Sequence, residues 1–168
     1  MPPERLSCTI RPATQADLPH IVRLVRALAE YERLLDRVTS SEADFRIALF
    51  GPQPRAYAFL AEVNGAPVGM ALWYYSFSTF TGRPDLFLED LFVEPQHRGT
   101  GLGLALLRRL AQQAAADNCR RVEWRVLNWN RQAIDFYTRI GAKPMQDWHV
   151  RQLEGDALAA LAQGVPNA

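Results

Sequence analysis

The most informative part of this sequence is the glycine turn (96–105), Gln96-His97-Arg98-Gly99-Thr100-Gly101-Leu102-Gly103-Leu104-Ala105. It follows an apolar run that predicts a buried strand, and it precedes an Ala- and Leu-rich segment that predicts a helix. Glycines at three alternate positions let the backbone turn tightly and leave its amides unshielded. Because amides at a helix N-terminus lie at the positive end of the helix dipole, the turn is suited to bind a phosphate. The alternative is a strand-to-helix turn that holds no ligand.

Two familiar phosphate-binding loops fit the glycine turn poorly. A P-loop ends in Gly-Lys-Ser/Thr, whereas Leu104 and Ala105 stand at this place. The dinucleotide-binding loop is the closer alternative, because Glu123 lies 20 residues after Gly103, where that fold places its ribose-binding acid. However, the third small residue of that loop's pattern is missing, and its turn belongs after the first strand of a domain. The sequence therefore disfavours both loops.

The segment before the glycine turn predicts a strand, two helices, a hairpin and a further strand. Apolar residues at helical spacing indicate the first helix, and Thr39-Ser40-Ser41-Glu42 has the capping-box pattern of a second helix start. Asn64-Gly65 between two apolar runs is a strong hairpin signal. The predicted positions are Thr9–Arg11 for the first strand (stopped by Pro12), Thr14–Ala29 and Thr39–Leu49 for the helices, Tyr57–Val63 and a run to Tyr75 for the hairpin, and Leu86–Val93 for the last strand.

The segment after the glycine turn predicts three helices and two strands. Their positions are Leu102–Ala116 (ended by Asn118), Asn130–Ile140 (closed by Gly141) and Asp156–Gln163 for the helices, and Arg121–Leu127 and Trp148–Leu153 for the strands. Up to the terminal helix, the order along the chain is β-α-α-β-β-β-α-β-α-β, in which an antiparallel part precedes a βαβ unit. This order predicts an α/β or α+β fold with a mixed sheet.

The composition indicates a single globular domain over residues 1–168, located in the cytoplasm. The chain is 48% apolar with a net charge of +1, which excludes a disordered protein and argues against a nucleic-acid binder. No apolar run reaches the roughly 18 residues of a membrane span, and the N-terminus lacks the apolar stretch of a secretory signal. In a reducing compartment Cys8 and Cys119 are expected as free thiols. The histidines have no partners at metal-ligand spacing, so no metal is expected.

Two motifs resemble those of the GNAT N-acetyltransferases. Gln96-x-x-Gly99-x-Gly101 and Arg98-x-x-Gly101-x-Gly103 both satisfy that family's acyl-CoA pyrophosphate motif, Gln/Arg-x-x-Gly-x-Gly/Ala. The stretch from Asn130 to Ala142, with Phe136-Tyr137-x-x-x-Gly141-Ala142 at its end, is similar to the family's second signature. The resemblance is nearest to the diamine (spermidine/spermine-type) branch, and it is carried by Ile10–Thr14, Glu30-Tyr31-Glu32, Leu88–Val93 and Asn130–Ala142.

The resemblance implies a fold and a cosubstrate. The fold is a mixed, mostly antiparallel central sheet of about seven strands flanked by helices, with a β-α-β-α acyl-CoA core over about 86–142. The sheet is expected to splay between the strands at Leu86–Val93 and Arg121–Leu127, with the pantetheine of acetyl-CoA in the gap. The implied acetyl-CoA-binding residues are Leu91, Phe92, Val93, Arg98, Gly99, Thr100, Gly101, Leu102, Gly103, Leu104, Asn130, Ala133 and Phe136.

The resemblance also implies the catalytic residues. Tyr137 is expected to be the general acid, since a phenol can donate a proton while it stays neutral at pH 7. Glu89 is expected to be the base or the group that orients the amine, because a carboxylate inside an apolar strand is costly unless it is paired or useful. Alternation predicts that its neighbour Asp90 points to the other face of the strand. A bulge in this strand is expected to free a backbone N–H near Leu91 for the thioester oxygen. The alternatives are a core tyrosine and a salt-bridged strand carboxylate.

The acceptor is expected to be a small-molecule amine, with Tyr31, Glu32, Glu89 and Glu123 as substrate-binding residues. The alternatives are a solvated helix end for Tyr31 and Glu32, and an exposed strand acid for Glu123. Met145-Gln146-Asp147 replaces a more acidic stretch of the diamine branch, which disfavours spermidine and spermine themselves. The resemblance further implies a homodimer. Two other functions remain open at this point, namely a non-catalytic acyl-CoA-binding module and a protein N-acetyltransferase.

Overall fold

The structure is a computed structural model that describes residues 7–164. These residues belong to two compact units, which are divided in the sequence between Arg125 and Val126. Within residues 7–164 the first unit has five strands and the helices α1 to α3, and the second unit has α4 and α5. The strands are β1 (Cys8–Pro12), β2 (Tyr57–Val63), β3 (Ala66–Ser78), β4 (Arg83–Val93) and β5 (Val122–Trp124), and the helices are α1 (Leu18–Tyr31), α2 (Glu42–Phe50), α3 (Leu102–Ala116), α4 (Arg131–Arg139) and α5 (Gly155–Ala162).

The strands of the first unit form one mixed sheet in the order β1-β2-β3-β4-β5. Strands β1 to β4 pair antiparallel, and β5 runs parallel to β4. The turn between β2 and β3 is Asn64-Gly65, with both residues at positive φ as a tight hairpin turn requires. The predicted α/β class with a mixed, mostly antiparallel sheet is confirmed.

The predicted count of about seven strands is wrong, because the sheet in the described part of the chain has five. The segment predicted as the last strand, Trp148–Leu153, has no regular secondary structure, and Trp148 and Val150 are 72% and 66% exposed. An alternating sequence becomes a strand only where a neighbouring strand takes up its backbone hydrogen bonds. Within residues 7–164 no strand pairs with this segment. The strand predicted over Arg121–Leu127 shortens to the three residues of β5, which are those that pair with β4.

Helices cover both faces of the sheet in the first unit. The α1 face is the face of the sheet that bears Ala58, Leu60, Met70 and Phe92. On it α1 and α2 complete one buried cluster with Ile21, Leu24, Leu28 and Leu49. On the opposite α3 face, Phe59 stacks on Trp73 with ring centroids 5.6 Å apart. The Arg109 guanidinium of α3 covers the Phe59 ring at 4.3 Å. Burial of these apolar side chains on both faces is the main force that holds the first unit together.

The helix starts of the first unit carry local caps. Asp17 forms a capping box with Thr14 ahead of α1, and its carboxylate also pairs with Arg11 at 2.7 Å. This guanidinium holds the pKa of the Asp17 carboxyl well below its usual range. The second helix is capped by Ser41 and Asp44, whose side chains and amides bond reciprocally, rather than by the predicted Thr39 box. The helix is confirmed, and its capping box lies two residues further along the chain.

The second unit contains α4 and α5 within the described residues. Asn130 caps α4, since its Oδ1 accepts a hydrogen bond from the Ala133 amide at 3.2 Å. Gly141, at φ +89°, closes the helix as predicted. The terminal helix predicted over Asp156–Gln163 is present as α5, shifted by one residue. Of all the helices between residues 7 and 164, none has the length and hydrophobicity that a membrane span requires.

Candidate active site

Strand β4 leaves its neighbour β5 after a short parallel pairing. The pairs run from Leu86 with Val122 to Leu88 with Trp124, and no further β4–β5 pair is formed in the described residues. From Glu89 onward the β5 side of β4 therefore has no strand partner within residues 7–164. The β4–β5 pairing therefore ends at Leu88, and the predicted splay beyond it stays a prediction.

A β-bulge lies in β4 directly after its pairing with β5 ends. In the pairing with β3, Leu88 faces Trp73 and Asp90 faces Leu72, so Glu89 is the extra residue. Because Asp90 is two residues before Phe92, its side chain lies on the α1 face. Glu89 is two residues after Phe87, which faces Tyr74 on the same side of the sheet. The prediction that Asp90 points away from Glu89 is wrong, because the inserted residue resets the alternation and brings both carboxylates to the α1 face.

The acidic bulge (Glu89 and Asp90) lies near the end of α1. Burial, then the charges of Glu89 and Glu32, raise the pKa of Asp90 to about 7. Burial also raises the pKa of Glu32. The structure thus brings together two residues predicted to bind the acceptor, Glu32 and Glu89. Asp90 lies with them, although strand alternation predicted its side chain on the opposite face of the sheet. The adjacent pair of acids in an otherwise apolar strand was the available signal for a bulge.

Arg98 is held between α1 and the end of β4. Its Nε donates a hydrogen bond to the Val93 carbonyl at 2.9 Å. Its guanidinium carbon lies 4.4 Å from the centre of the Tyr31 ring and 5.6 Å from that of Phe92. Cation–π contacts of this kind are worth about 0.5–2 kcal/mol. Arg98, Phe92 and Val93 were predicted for acetyl-CoA and Tyr31 for the acceptor, and all four lie together.

The glycine turn exposes backbone amides at the start of α3. Gly99 and Gly101 have φ of +76° and +89°, a conformation that favours glycine, and a Cβ at either would meet open space. The Thr100 hydroxyl donates to the His97 carbonyl at 2.7 Å, which holds the turn. The first amide bonded within the helix is that of Ala105, to the Gly101 carbonyl at 2.9 Å. The three amides before it, those of Leu102, Gly103 and Leu104, have no intrahelical partner and suit an anion.

A row of side chains crosses the sheet beside the bulge. Tyr74 faces Phe87 in the register, and Phe87 faces Glu123 on β5. The Tyr74 and Phe87 rings stack with centroids 5.2 Å apart. Glu123 is paired with Arg121 at 2.8 Å, and the Arg125 guanidinium lies over Phe87 at 5.3 Å. Glu123 was predicted to bind the acceptor. Tyr74 and Arg125 belong to no sequence motif, and only the strand register and the contact with the Phe87 ring place them beside the bulge.

Tyr137, the predicted general acid, lies in the second unit on the last turn of α4. Its ring is 5.4 Å from that of Phe136, and both side chains are half-buried. The Tyr137 carbonyl accepts hydrogen bonds from the amides of Ile140 and Ala142 at 3.2 and 3.0 Å. The closed helix end therefore holds the backbone of Tyr137 in place. The predicted roles of Tyr137, Phe136, Asn130 and Ala133 stay predictions. Across residues 7–164, no three His, Cys, Asp or Glu side chains form a metal-binding group.

The sequence profile of the Acetyltransferase (GNAT) family matches residues 22–142. This range includes the acidic bulge, the glycine turn and Tyr137. Members of this family use acetyl-CoA. The match covers more than half of the 168 residues, so it extends well beyond the acyl-CoA motif itself.

The relatives of this chain include acetyltransferases named for small amines. A thialysine N-epsilon-acetyltransferase of Bos taurus is 38% identical over 164 residues, which covers 91% of this chain and 96% of the relative. The human spermidine/spermine N(1)-acetyltransferase-like protein 1 is 34% identical over 91% of this chain but only 23% of its own length. These relatives match the diamine branch that the motifs indicated.

Solved structures show the same fold. An integron cassette protein from the mobile metagenome of V. cholerae superposes with a TM-score of 0.78 at 26% identity, over 95% of this chain and 99% of that one. An aminoglycoside acetyltransferase from a soil metagenomic sample superposes with a TM-score of 0.75 at 19% identity, over 88% and 97% of the two chains. With the profile match and the relatives above, the chain belongs to the GNAT family and is an N-acetyltransferase.

Proposed function

We propose that this enzyme transfers an acetyl group from acetyl-CoA to a primary amine of a small cationic acceptor, namely a diamine, a polyamine or a lysine-like compound. The observation that carries the proposal is the acidic bulge, where Glu89 and Asp90 share the α1 face with Glu32 nearby, directly after the β4–β5 pairing ends. Opposite charges a few ångströms apart near a protein surface attract by a few kcal/mol before desolvation. Such a cluster selects a cationic amine over a neutral one.

Glu89 and Tyr137 handle the protons of the transfer. A primary amine has a pKa near 10.4, so at pH 7 only about one molecule in a few thousand is a nucleophile. Glu89 accepts the proton that the ammonium group loses, and the neutral nitrogen then attacks the thioester carbonyl. The carbon–sulfur bond then breaks, and Tyr137 donates a proton to the departing CoA thiolate. The second proton that the nitrogen loses as the amide forms restores the phenol. The products are the acetylated amine and free CoA.

The glycine turn and the free side of β4 provide the acetyl-CoA site. The amides of the turn, from Gly99 to Leu104, bind the pyrophosphate, and Arg98 adds positive charge beside them. Pantetheine lies along the unpaired side of β4 at Leu91–Val93, where backbone groups are available for its amides. The backbone N–H near Leu91 donates to the thioester oxygen. Asn130, Ala133 and Phe136 complete the site by analogy with the family's second signature.

The acceptor is short. Tyr31, Glu32, Glu89 and Glu123 bind it, and the relatives named for thialysine and for spermidine/spermine favour an amine of this class. Met145-Gln146-Asp147 lacks the acids that would hold a far amine, so a short diamine or a lysine-like compound is preferred over spermine. The two other functions have less support. An acyl-CoA-binding module needs no acidic bulge, and the relatives named above are not named for protein acetylation.

The enzyme acts as a single N-acetyltransferase domain over residues 1–168, in the cytoplasm and as a homodimer whose acceptor site lies near the subunit boundary. The exposed Trp148 and Val150 support the dimer, because a second copy would cover apolar side chains that the chain leaves in solvent. Light scattering at micromolar concentration tests it, and a monomer there would contradict it.

Release of free CoA from acetyl-CoA tests the function directly. The assay compares diamines, polyamines, lysine analogues and peptides as acceptors. We expect the highest kcat/KM with short amines that carry a cationic group. Acetyl-CoA binding without CoA release for any acceptor would favour the binding module, and activity on peptides alone would favour a protein acetyltransferase.

A further inference from the structure

We propose that Arg98 has a second role besides its charge at the glycine turn. It positions the Tyr31 ring at the end of α1, and so couples the occupancy of the glycine turn to the affinity for the acceptor. This inference rests on the proposed function, which places the pyrophosphate of CoA at the turn and the acceptor beside Tyr31. No sequence motif joins the two residues, and only the fold brings them together.

Arg98 is fixed to the end of β4 by its backbone and by one side-chain nitrogen. Its amide donates a hydrogen bond to the Pro95 carbonyl at 3.2 Å, and its Nε donates to the Val93 carbonyl at 2.9 Å. The two terminal nitrogens form no hydrogen bond or ion pair within residues 7–164. An arginine held in this way keeps its terminal N–H groups for an anion.

The Arg98 guanidinium also lies over two aromatic rings. Its central carbon is 4.4 Å from the centre of the Tyr31 ring and 5.6 Å from that of Phe92. Phe92 belongs to the buried cluster on the α1 face, and Tyr31 packs against the same cluster. Because Arg98 is itself half-buried, these contacts are partly shielded from water, which strengthens the attraction between a cation and a ring. Arg98 therefore favours one orientation of the Tyr31 ring.

The backbone at the end of α1 is fixed independently of Arg98. The Arg33 amide donates a hydrogen bond to the Glu30 carbonyl at 3.0 Å. Arg33 has a φ of +61°, in the left-handed region that commonly closes a helix. Since this closure sets the position of the Tyr31 backbone, the contact with Arg98 acts on the orientation of the ring rather than on the helix.

CoA and the acceptor thus act on the same pair of side chains. Arg98 has two states, one over the Tyr31 ring and one released into solvent, and each ligand favours the first. An anion on the terminal nitrogens restricts Arg98 to the first state, so the loss of side-chain entropy accompanies the binding of CoA. An acceptor that then packs against the Tyr31 ring finds the ring already ordered and binds more tightly. By thermodynamic linkage, the acceptor strengthens CoA binding by the same factor.

Calorimetry of CoA with and without a saturating amine measures this coupling factor. CoA carries no acetyl group, so no reaction consumes the ligands. The amine is whichever of lysine and cadaverine has the higher kcat/KM with acetyl-CoA. In the wild-type enzyme we expect the amine to lower the Kd of CoA by about 3- to 10-fold, and CoA to lower the Kd of the amine equally. In Tyr31→Leu, which removes the ring, and in Arg98→Ala, the factor should fall below about 1.5.

Three further variants separate the coupling from CoA binding and from charge. Tyr31→Phe is the matched control for Tyr31→Leu, because it keeps the ring and should keep the factor. Arg98→Lys keeps a charge for the pyrophosphate, so it should bind CoA more tightly than Arg98→Ala. It lacks the guanidinium plane, and its factor should be smaller than that of wild type. Arg26→Ala removes an exposed arginine from α1 and should change neither the factor nor the Kd of CoA.

A wild-type factor of about 1 would overturn the inference, and so would a factor retained in full by Tyr31→Leu. A factor below about 1 would also overturn it, since the pyrophosphate would then draw Arg98 away from the ring. Weaker CoA binding in Arg98→Ala at an unchanged factor would limit Arg98 to its charge at the cosubstrate. Failure of wild type to acetylate any amine would instead overturn the proposed function as a whole.

Discussion

The acidic bulge lies in β4 and the glycine turn follows β4, but one presents side chains and the other backbone amides. The turn exposes backbone amides, and its shape depends on glycines at positive φ that the sequence displays directly. The bulge presents carboxylate side chains, and their direction depends on how β4 pairs with β3. A binding site formed by backbone amides can therefore be predicted from a sequence motif. A site formed by strand side chains can be predicted only when the pairing register of the strands is known.

The largest effect is expected where the backbone site is blocked. Gly101→Glu places a side chain and a negative charge where the pyrophosphate approaches the amides, and CoA affinity should fall by at least about 100-fold. Isothermal titration calorimetry with CoA measures this loss.

Gly65→Glu is the matched control for Gly101→Glu. Gly65 also has a positive φ and open space around its Cβ position, but it lies in the β2–β3 hairpin turn. Both variants carry a similar backbone strain, of the order of 1 kcal/mol or more. Only Gly101→Glu should lose CoA binding. Equal affinities in the two variants would remove the phosphate site from the glycine turn.

The second largest effect is expected for a variant that slows the chemical step without weakening CoA binding. Tyr137→Phe removes the hydroxyl that donates a proton to the thiolate, so kcat should fall by about 100-fold or more while CoA affinity stays nearly intact. Steady-state kinetics across the amine panel, with calorimetry of CoA, measure both quantities. Full activity of Tyr137→Phe on every amine would exclude this residue as the general acid.

A smaller effect is expected at the first carboxylate of the bulge. Glu89→Gln keeps the shape but removes the charge and the base, so kcat/KM should fall by about 10- to 100-fold. The pH optimum should shift upward, because the amine must then lose its proton before it binds. A pH–rate profile of kcat/KM shows the shift. An unchanged optimum would mean that Glu89 neither accepts the proton nor favours the neutral amine.

Much of the fold could be predicted because its elements carry local signals. The helix predicted over Leu102–Ala116 is found with those bounds, since its apolar spacing and its glycine start are both local. The final strand over Trp148–Leu153 could not be predicted correctly, because strand formation depends on a partner that alternation does not reveal. Strand periodicity alone also led to an overcount of strands.

In the candidate site, too, features with a local sequence signal could be predicted and features that depend on strand pairing could not. Gly99, Gly101 and the helix start after them could be identified from the motif, since the anion site is made by consecutive residues. The side of the sheet on which Asp90 lies could not be identified from the sequence, because one inserted residue reverses the direction of every later side chain of a strand. Arg125 has no sequence signal at all, and only the row of Tyr74, Phe87 and Glu123 connects it to the bulge.

The last and smallest effect concerns Asp90 and the stability of the fold. Its pKa is about 7 in the folded protein, mainly through burial, against about 3.9 in an unfolded chain. The folded state therefore binds more protons than the unfolded state between about pH 4 and 7, and stability falls as the pH rises through this window. Asn cannot titrate, so Asp90→Asn should be more stable than wild type by about 1–3 kcal/mol at pH 8, and the gain should vanish towards pH 4. Chemical denaturation at both pH values measures the difference, with the exposed Asp147→Asn as a control that should show no such gain. Equal stability of Asp90→Asn and wild type at pH 8 would mean that Asp90 ionises freely, and that the bulge does not force it against Glu89 and Glu32.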